Sequence, residues 1–314
     1  MLTTYLYIIL AVLLLSKINH LVQFINLHIL HKSTLSRYLN PTSKSDKAWA
    51  LVTGASDGIG FGFVEELAQA GFNVILHGRN PSKIEGLIAQ VQKKYPARSF
   101  RSFILDASKR DAWSDAFKTF LSELQKSQIQ LRILVNNVGG TGGEYAFERS
   151  LERDPASIFS VIDMNATFPA VVTHMLLPLL AKQQSSLVLN IGSVVAQIPP
   201  PYLELYSGSK AFNLVWSKSL DLQMRREQMN IEILGVVVGR VENSTSKGSS
   251  LFKPTSRAFA NAALAKVGCG EPEVIAYWAH AIQMAALNML PVRLVQNFVV
   301  KAAEEEMAEE RRSR

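Results

Sequence analysis

Short apolar runs alternate with amphipathic stretches from residue 48 onward, which is the pattern of a parallel sheet. The apolar runs are Ala48–Thr53, Asn73–Leu76, Phe100–Leu105, Ile133–Asn136, Leu187–Ile191 and Ile231–Val238. Apolar residues at helical spacing fill the intervals, chiefly at Gly60–Ala70, Pro81–Lys94, Arg110–Lys126 and Tyr206–Gln228. Gly71 is expected to end the first of these helices, and Asn80 with Pro81 to begin the second. Alternating strands and helices predict an α/β fold, a doubly wound parallel sheet with helices on both faces.

The first forty residues have a different pattern, in which apolar residues dominate and acidic residues are missing. Leu2–Leu15 carries no charge, and the first acidic residue of the chain is Asp46. Such a run is shorter than the ~20 apolar residues that cross a bilayer. A membrane anchor fits best, and a core or interfacial helix and a cleaved signal peptide are the alternatives. Lys17 and Lys32 follow the apolar run and predict that the rest of the chain faces the cytoplasm.

A polar stretch with a helix-breaking proline, Asn40–Lys47, separates this segment from the alternating region. The expected organisation is a hydrophobic anchor over residues 1–40, one catalytic domain over 41–303 and a charged tail over 304–314. Near the end of the domain, Ala276–Val300 is apolar and interrupted by Pro291. It is either a second membrane contact or a core or dimer helix.

Composition narrows the classes of function. Hydrophobic residues make up 48% of the 314 residues, enough for a substantial core. The one cysteine, Cys269, excludes an intrachain disulfide, and its Gly-Cys-Gly setting has no base beside it, so we expect a structural role. The net charge of +7 suits a phosphate-bearing cofactor or a membrane surface. We find neither a basic run interleaved with aromatic residues nor zinc-ligand spacing, so no nucleic acid or metal ion is expected.

Three glycines stand where the first predicted strand turns into the first predicted helix, in the spacing Gly-x-x-x-Gly-x-Gly. Glycine lets a backbone approach a pyrophosphate closely, and a helix N-terminus favours the anion. The turn is therefore predicted to bind a dinucleotide, the alternative being a tight structural turn. The residues assigned to this site are Gly54, Ser56, Asp57, Gly58, Ile59 and Gly60.

The end of the second predicted strand indicates which dinucleotide binds. Sites for NAD usually place an acidic residue there for the ribose hydroxyls, but Phe72–Lys83 contains no Asp or Glu. Arg79 follows the strand, and a guanidinium can pair with a 2′-phosphate. We therefore expect NADP(H); a solvated surface arginine is the alternative. Asp106 ends the third strand, where it can reach the adenine, and Asn136 ends the fourth strand at the same cleft.

A tyrosine and a lysine four residues apart, Tyr206 and Lys210, would share one face of a helix. A free phenol has a pKa of about 10 and is a poor base at neutral pH, but a nearby ammonium lowers that pKa. The pair then suits proton transfer, although an amphipathic helix with a surface lysine has the same spacing. Ser193 lies thirteen residues earlier and could present a hydroxyl to the same carbonyl oxygen. Asn165 lies in a helical stretch and could hold a water near Lys210.

Taken in order, these residues resemble the short-chain dehydrogenase/reductase family over roughly Ala48–Asn243. The resemblance implies a single Rossmann domain and a possible homodimer. It implies that Tyr206 donates or accepts the proton and that Ser193 orients the substrate oxygen. Lys210 would lower the tyrosine pKa and bind the nicotinamide ribose, and Asn165 would support a proton relay. The motifs that carry it are Thr53-Gly54-x-x-x-Gly58-Ile59-Gly60, Asn136-Asn137-Val138-Gly139, Asn165, Ser193 and Tyr206-x-x-x-Lys210.

Some positions depart from the family pattern. Val138 stands where alanine is frequent, and Val238 and Asn243 replace the proline and threonine of a Pro-Gly-x-Val-x-Thr motif. Gly239 and Val241 of that motif remain, so Val241 is expected to contact the cofactor.

With its N-terminal apolar segment and the turn Gly-Ala-Ser-Asp-Gly-Ile-Gly at residues 54–60, the chain resembles the membrane-bound branch of 17β-hydroxysteroid dehydrogenases and very-long-chain 3-oxoacyl-CoA reductases. That resemblance implies the endoplasmic reticulum membrane, with the catalytic domain facing the cytosol. It also implies NADP(H)-dependent reduction of a lipophilic ketone: a steroid, a 3-oxoacyl-CoA or a secondary-metabolite carbonyl. A mobile substrate lid would lie within Ser244–Gly270. NAD-dependent alcohol oxidation and a non-catalytic scaffold are the alternative functions.

Overall fold

The computed structural model describes residues 2–39, 48–142, 146–242 and 248–312. The boundary expected at Asn40–Lys47 and the departure at Asn243 lie outside these ranges. The strands are β1 Ala48–Val52, β2 Asn73–Gly78, β3 Phe100–Ile104, β4 Gln130–Asn136, β5 Ser186–Ile191, β6 Ile231–Val237 and β7 Glu273–Ile275. The α-helices are α1 Leu2–Ile25, α2 Gly58–Ala70, α3 Pro81–Lys94, α4 Trp113–Lys126, α5 Pro155–Ile162, α6 Phe168–Ala181, α7 Glu204–Arg226, α8 Ser256–Leu264, α9 Trp278–Leu287 and α10 Val292–Arg312.

All neighbouring strands of the sheet are parallel, in the order β3-β2-β1-β4-β5-β6-β7. The chain starts at β1, works outward to β3, then returns beside β1 and works outward to β7. This is the doubly wound Rossmann topology, and it confirms the predicted fold class. The order reverses between β1 and β4, and ligands of such sheets bind beyond the carboxyl ends of the strands at that point.

The two faces of the sheet carry separate hydrophobic layers because successive side chains of a strand point to opposite faces. On one face Ala50 belongs to a cluster with Phe63 of α2 and Phe259 of α8. On the other, Leu51 belongs to a cluster with Phe117 of α4 and Phe168 of α6. With both faces covered, the central strands β1, β4 and β5 are mostly apolar and buried, and the carboxyl edge of the sheet is left free for a site.

Helix boundaries follow the local chemistry that the sequence indicated. The Asp57 side chain caps α2 by accepting a hydrogen bond from Gly58 N, and Gly71 ends the helix in the left-handed region at φ 111°. Asn80 caps α3 by accepting from Lys83 N, and Pro81 is its first residue. The predicted helix end and start are thus confirmed.

Among the described residues, one stretch is long and apolar enough to cross a membrane, Pro155–Ala181. It consists of α5, a π-helical turn at Asp163–Thr167 and α6. Its residues Phe168, Val172 and Leu176 are fully buried against the sheet, so it is a core element. The N-terminal helix α1 differs, since its described large apolar side chains are exposed, for example Tyr7 at 72% and Leu15 at 64%.

Two elements near the C-terminal end were not predicted. Strand β7 has three residues and pairs with β6. Helix α8 lies inside the stretch in which the family carries its lid, but Phe259, Ala260 and Ala263 are fully buried in the core cluster that also holds α2. Residues 256–264 therefore belong to the packed body of the domain.

Candidate active site

The glycine-rich turn after β1 is packed so closely that side chains are excluded from it. Gly54 has φ +64°, and a Cβ on it would lie 2.8 Å from the Val138 Cα. A Cβ on Gly60 would lie 2.1 Å from the Gly54 carbonyl oxygen. Backbone from two loops and the first turn of α2 thus meet at one point, which is the cradle that a pyrophosphate needs.

Thr53 and Asn137 fix this turn against the end of β4. The Thr53 hydroxyl accepts hydrogen bonds from Asn137 N at 2.9 Å and Val138 N at 3.1 Å. The Asn137 amide in turn donates to the Thr53 carbonyl at 3.0 Å and to the Gly54 carbonyl at 3.2 Å. The two loops that flank the topological reversal are therefore held as one rigid unit.

A buried histidine lies directly beneath the glycine turn. His77 Nδ1 is 3.2 Å from Gly54 N, which donates to it, and the imidazole stacks on Phe168 with 5.0 Å between ring centroids. Burial lowers the pKa of His77 to about 4, so the ring is neutral near pH 7. Sequence reasoning gave His77 no role. Its one signal is an imidazole that follows three apolar residues in the buried strand Asn-Val-Ile-Leu-His-Gly.

A cleft of about 910 Å³ opens above this turn at the carboxyl edge of the sheet. Most of the residues predicted to bind a cofactor line it: Gly54, Ser56, Asp57, Gly58, Ile59, Arg79, Asp106, Tyr206, Lys210 and Val241. Gly60 lies one layer below, packed against the Gly54 carbonyl. Its role is to let the turn close.

Asn136 also lies below the cleft, where it joins a buried polar chain. Its amide nitrogen donates to Thr173 Oγ1 at 2.7 Å and to Asn190 Oδ1 at 2.8 Å. Asn190 then donates to Ser217 Oγ at 3.1 Å, which links β4, β5, α6 and α7. The residue that lines the cleft is its neighbour Asn137. This placement gives Asn136 a supporting position beneath the cofactor loops.

Arg79 and Asp106 lie at the same end of the cleft. Burial alone would raise the pKa of the Asp106 carboxyl, but hydrogen bonds from Ser108 and the charge of Arg79 hold it below its usual range. Lys83 adds a second cation nearby, 3.8 Å from the Asp57 carboxylate. The cleft therefore ends with the cations Arg79 and Lys83 beside the carboxylates of Asp57 and Asp106.

Ser193, Tyr206 and Lys210 come together at the other end. Burial raises the pKa of Tyr206 to about 12, opposed in part by a hydrogen bond with Ser193. Burial also lowers the pKa of Lys210 to about 8, and its ammonium donates to the Ile191 carbonyl at 2.9 Å. Lys210 Nζ lies 5.7 Å from the centre of the tyrosine ring. We expected the lysine to lower the tyrosine pKa; this expectation is wrong for this geometry, because burial raises the pKa instead.

Asn165 sits in the π-helical turn between α5 and α6, which interrupts the regular helix, and it is fully buried. Its side chain is held by Gly140 on both sides, accepting from the amide at 3.1 Å and donating to the carbonyl at 2.7 Å. A Cβ on Gly139 would lie 2.6 Å from Asn165 Oδ1 and 3.1 Å from Lys210 Nζ. The predicted Asn165 and Lys210 thus converge on one glycine.

Asn213, which was not predicted, fixes that turn from the other side. It is buried one helical turn after Lys210, and its amide donates to the Asn165 carbonyl at 2.6 Å. The signal available in the sequence was an amide at the position three residues after the lysine, on the same helix face. Asn213 acts through Asn165 and is a positioning residue.

The departures from the family pattern keep the cleft intact where the structure describes them. The Val238 carbonyl accepts from Val194 N at 2.9 Å, which joins the β6 loop to the residue after Ser193. Gly239 N donates to His280 Nδ1 at 3.2 Å. Val138, Val238 and Val241 all line the cleft, as does Glu242, which sequence reasoning did not assign.

The C-terminal half of α10 fastens the loops around this cleft. Arg240 of the β6 loop pairs with Glu306 at 2.7 Å. Beyond β4, the Ala146 amide donates to the Glu310 carboxylate at 2.9 Å, and Glu152 pairs with Arg311 at 3.2 Å. The predicted charged tail thus lies, as far as residue 312, in a helix that contacts the rim.

Proteins of known function are similar to this chain in sequence. A very-long-chain 3-oxoacyl-CoA reductase of Neurospora crassa is 32% identical over 239 residues, which covers 74% of this chain and 70% of that protein. The corresponding reductase of Coprinopsis cinerea is 33% identical over 253 residues, covering 78% and 73%.

Solved structures share the fold. A 7beta-hydroxysteroid dehydrogenase superposes with a TM-score of 0.69 at 17% identity, covering 84% of this chain and 98% of that one. A short-chain dehydrogenase from Sphingobium yanoikuyae in complex with NADPH gives 0.60 at 21% identity, covering 77% and 94%. Residues 48–252 match the family described as short chain dehydrogenase. The chain is an oxidoreductase of the short-chain dehydrogenase/reductase family, in the branch of its very-long-chain 3-oxoacyl-CoA reductase relatives.

Proposed function

We propose that this protein is a membrane-anchored, NADPH-dependent reductase that converts the ketone of a lipophilic substrate to an alcohol, a 3-oxoacyl-CoA being the best-supported class. The observation that carries the proposal is the convergence of Ser193, Tyr206, Lys210 and Asn165 at one end of a cleft shaped for a dinucleotide. The substrate class is supported by the reductases that the chain resembles over three quarters of its length.

The residues present fit a nicotinamide dinucleotide. The glycine cradle excludes side chains where a pyrophosphate would lie, and α2 begins there with its N-terminus toward the cleft. Lys210, at the far end of the cleft, would hold the nicotinamide ribose. When bound, the cofactor supplies the hydride to the carbonyl carbon.

The chain's own residues supply the proton and hold the substrate oxygen. Tyr206 is a neutral phenol throughout the physiological range, because its pKa is about 12, and it can give its proton to the developing alkoxide. The Ser193 hydroxyl, within hydrogen-bond reach of that phenol, would orient the same oxygen. The Lys210 ammonium favours the phenolate left behind, and reprotonation through solvent near Asn165 would complete the cycle.

Arg79 supports NADPH over NADH. It lies at the cleft end with no acidic residue in Phe72–Lys83 to repel a 2′-phosphate. Replacing one charged phosphate contact should weaken NADPH use by about tenfold or more. We expect Arg79→Asp to lower kcat/KM for NADPH while leaving or raising that for NADH. Lys93→Asp, on exposed α3 surface, is the matched control. An unchanged cofactor preference would show that Arg79 has another role.

The decisive assay is turnover of purified full-length protein with NADPH and three panels: 3-oxoacyl-CoA esters of increasing chain length, steroid ketones and polyketide ketones. We expect the long 3-oxoacyl-CoA esters to be reduced. Tyr206→Phe should lower kcat by at least about a hundredfold while cofactor affinity is retained, because only the proton donor is lost. Full activity in Tyr206→Phe, or cofactor binding without turnover of any ketone, would argue against the proposal.

Helix α1 supports a membrane anchor in the endoplasmic reticulum, with the catalytic domain on the cytosolic side. Its described large apolar side chains are exposed along the helix, including Ile9 at 57% and Leu21 at 58%. An apolar helix whose large side chains stay exposed is stable where lipid covers it. Lys17 and Lys32 flank the apolar part on the catalytic side.

We also infer a homodimer that packs α7 against its copy. Helix α7 exposes Phe212, Val215 and Leu222, the last two at 64% and 67%. Beside them, an apolar cavity of about 580 Å³ is bordered by α6 and α7. Such an exposed apolar face suits packing against a second copy of itself.

A further inference from the structure

The turn between α9 and α10 and the first half of α10 form an exposed apolar surface, here named the α9–α10 tip (residues 288–300). Met289 is 69% exposed, Val292 70% and Phe298 64%. Val295 is the one residue of the tip that is buried among those the structure describes. Surfaces that stay in water rarely keep so many large apolar side chains together.

The charges around the tip favour an anionic, apolar partner. Between Glu273 and Lys301 the chain has a single formally charged residue, Arg293, and no acidic one. Acidic residues begin at Glu304, on the part of α10 that reaches the cleft rim. An apolar segment with one basic residue and no acidic one fits the headgroup region of a bilayer.

The tip also lies beside the proposed anchor. One cavity of about 840 Å³ is lined by Lys17, His20 and Phe24 of α1 and by Ala285 and Met289. Lys17 is the residue at which the uncharged part of α1 ends. When that part is in lipid, Lys17 marks the membrane surface, and Met289 lies at the same level.

We propose that the α9–α10 tip rests in the bilayer interface as a second membrane contact next to α1. This inference depends on the anchor in the proposed function. A second cavity, of about 340 Å³, lies between the tip and residues 197–201, which follow Ser193 in the chain. The contact therefore brings the bilayer to the loop that joins Ser193 to Tyr206, a direct route for the tail of a lipophilic substrate.

A fluorescence experiment on full-length protein in phosphatidylcholine vesicles with one fifth phosphatidylserine tests the contact. In a Cys269→Ser background, an environment-sensitive fluorophore is attached at Phe298→Cys, at Leu15→Cys on α1 or at Lys118→Cys. Lys118 is exposed on α4, which packs with β3 at the opposite sheet edge from β7. Retained ketone turnover shows that each labelled variant is folded.

At Phe298→Cys we expect quenching by lipids with nitroxide-labelled acyl chains and at least about threefold protection from aqueous iodide, relative to Lys118→Cys. Equal iodide access at both positions would overturn the inference. If Leu15→Cys is also open to iodide, the anchor itself fails; if Leu15→Cys is quenched by lipid and Phe298→Cys is not, only the tip contact fails. Protection that comes from a second labelled copy, seen as energy transfer between molecules without lipid quenching, would make the tip a protein interface and overturn the inference as well.

Discussion

Lys210 sets the expected pH range of the reaction. Its pKa is lowered to about 8, whereas Tyr206 keeps its proton up to about 12. As pH rises through 8 the ammonium is lost, and with it the charge that stabilises the phenolate. We expect kcat for ketone reduction to fall above about pH 8. Because arginine keeps its charge, the residual activity of Lys210→Arg should lack this decline. A wild-type rate that stays level from pH 7 to 10 would contradict the assignment.

His77 couples the cofactor turn to acid stability. Its pKa is about 4 in the folded chain and about 6.5 in an unfolded one, so the unfolded state binds the extra proton as pH falls between these values. We expect a loss of up to about 3 kcal/mol in unfolding free energy between pH 6.5 and 4. His77→Gln keeps an acceptor for Gly54 N and should remove most of this loss in urea unfolding. Exposed His174→Gln should leave it unchanged.

Residue chemistry was predictable where the reaction requires a particular group at a particular spacing. Ser193, Tyr206 and Lys210 are identified by their spacing and converge as their order suggested. Residues that support the site through three-dimensional contacts leave weaker traces. His77 and Asn213 are placed by packing between elements far apart in sequence. Asn137 takes the cleft position predicted for Asn136, because only one of two neighbours can face the cleft.

At the scale of elements, the contact between the glycine turn and α2 predicts a sharp difference between two glycines. A methyl group on Gly60 would meet the Gly54 carbonyl at 2.1 Å, while one on Gly86 in α3 meets nothing within 4 Å. We expect Gly60→Ala to cost about 1–3 kcal/mol and to raise the cofactor Kd by tenfold or more, because the turn must move. Gly86→Ala should stabilise α3 by about 0.5–1 kcal/mol. Equal effects in thermal unfolding and cofactor titration would refute the packing argument.

Elements with strong local signals were predictable, and those stabilised by distant partners were not. Asn80 and Pro81 predict the start of helix α3, and an unbroken apolar run predicts strand β1. Strand β7 has three residues and exists because β6 offers a free edge. The π-helical turn at Asp163–Thr167 interrupts an apolar stretch whose spacing is helical on both sides, and tertiary contacts to Gly140 and Asn213 hold it.

For the whole molecule, the exposed face of α7 predicts an assembly of two chains. Burying Val215 and Leu222 against a copy would remove large apolar surfaces from water, and two glutamates in their place would put like charges in contact. We expect light scattering of the detergent-solubilised protein to give the mass of two chains, and that of Val215→Glu with Leu222→Glu to give one. Exposed Leu151→Glu is the control. A single-chain mass for the unaltered protein would exclude this dimer.

Helix α10 has a consequence for the way the protein handles its substrate. One end carries the apolar tip. The other end contacts the loops after β4 and β6 through ion pairs and a hydrogen bond of Glu306, Glu310 and Arg311. A single helix about 30 Å long thus connects the proposed membrane contact to the rim of the cleft. A change in the thickness or tension of the bilayer would then shift the loops at the cleft entrance. An affinity tag fused after Arg314 would likewise disturb substrate entry before it disturbed cofactor binding.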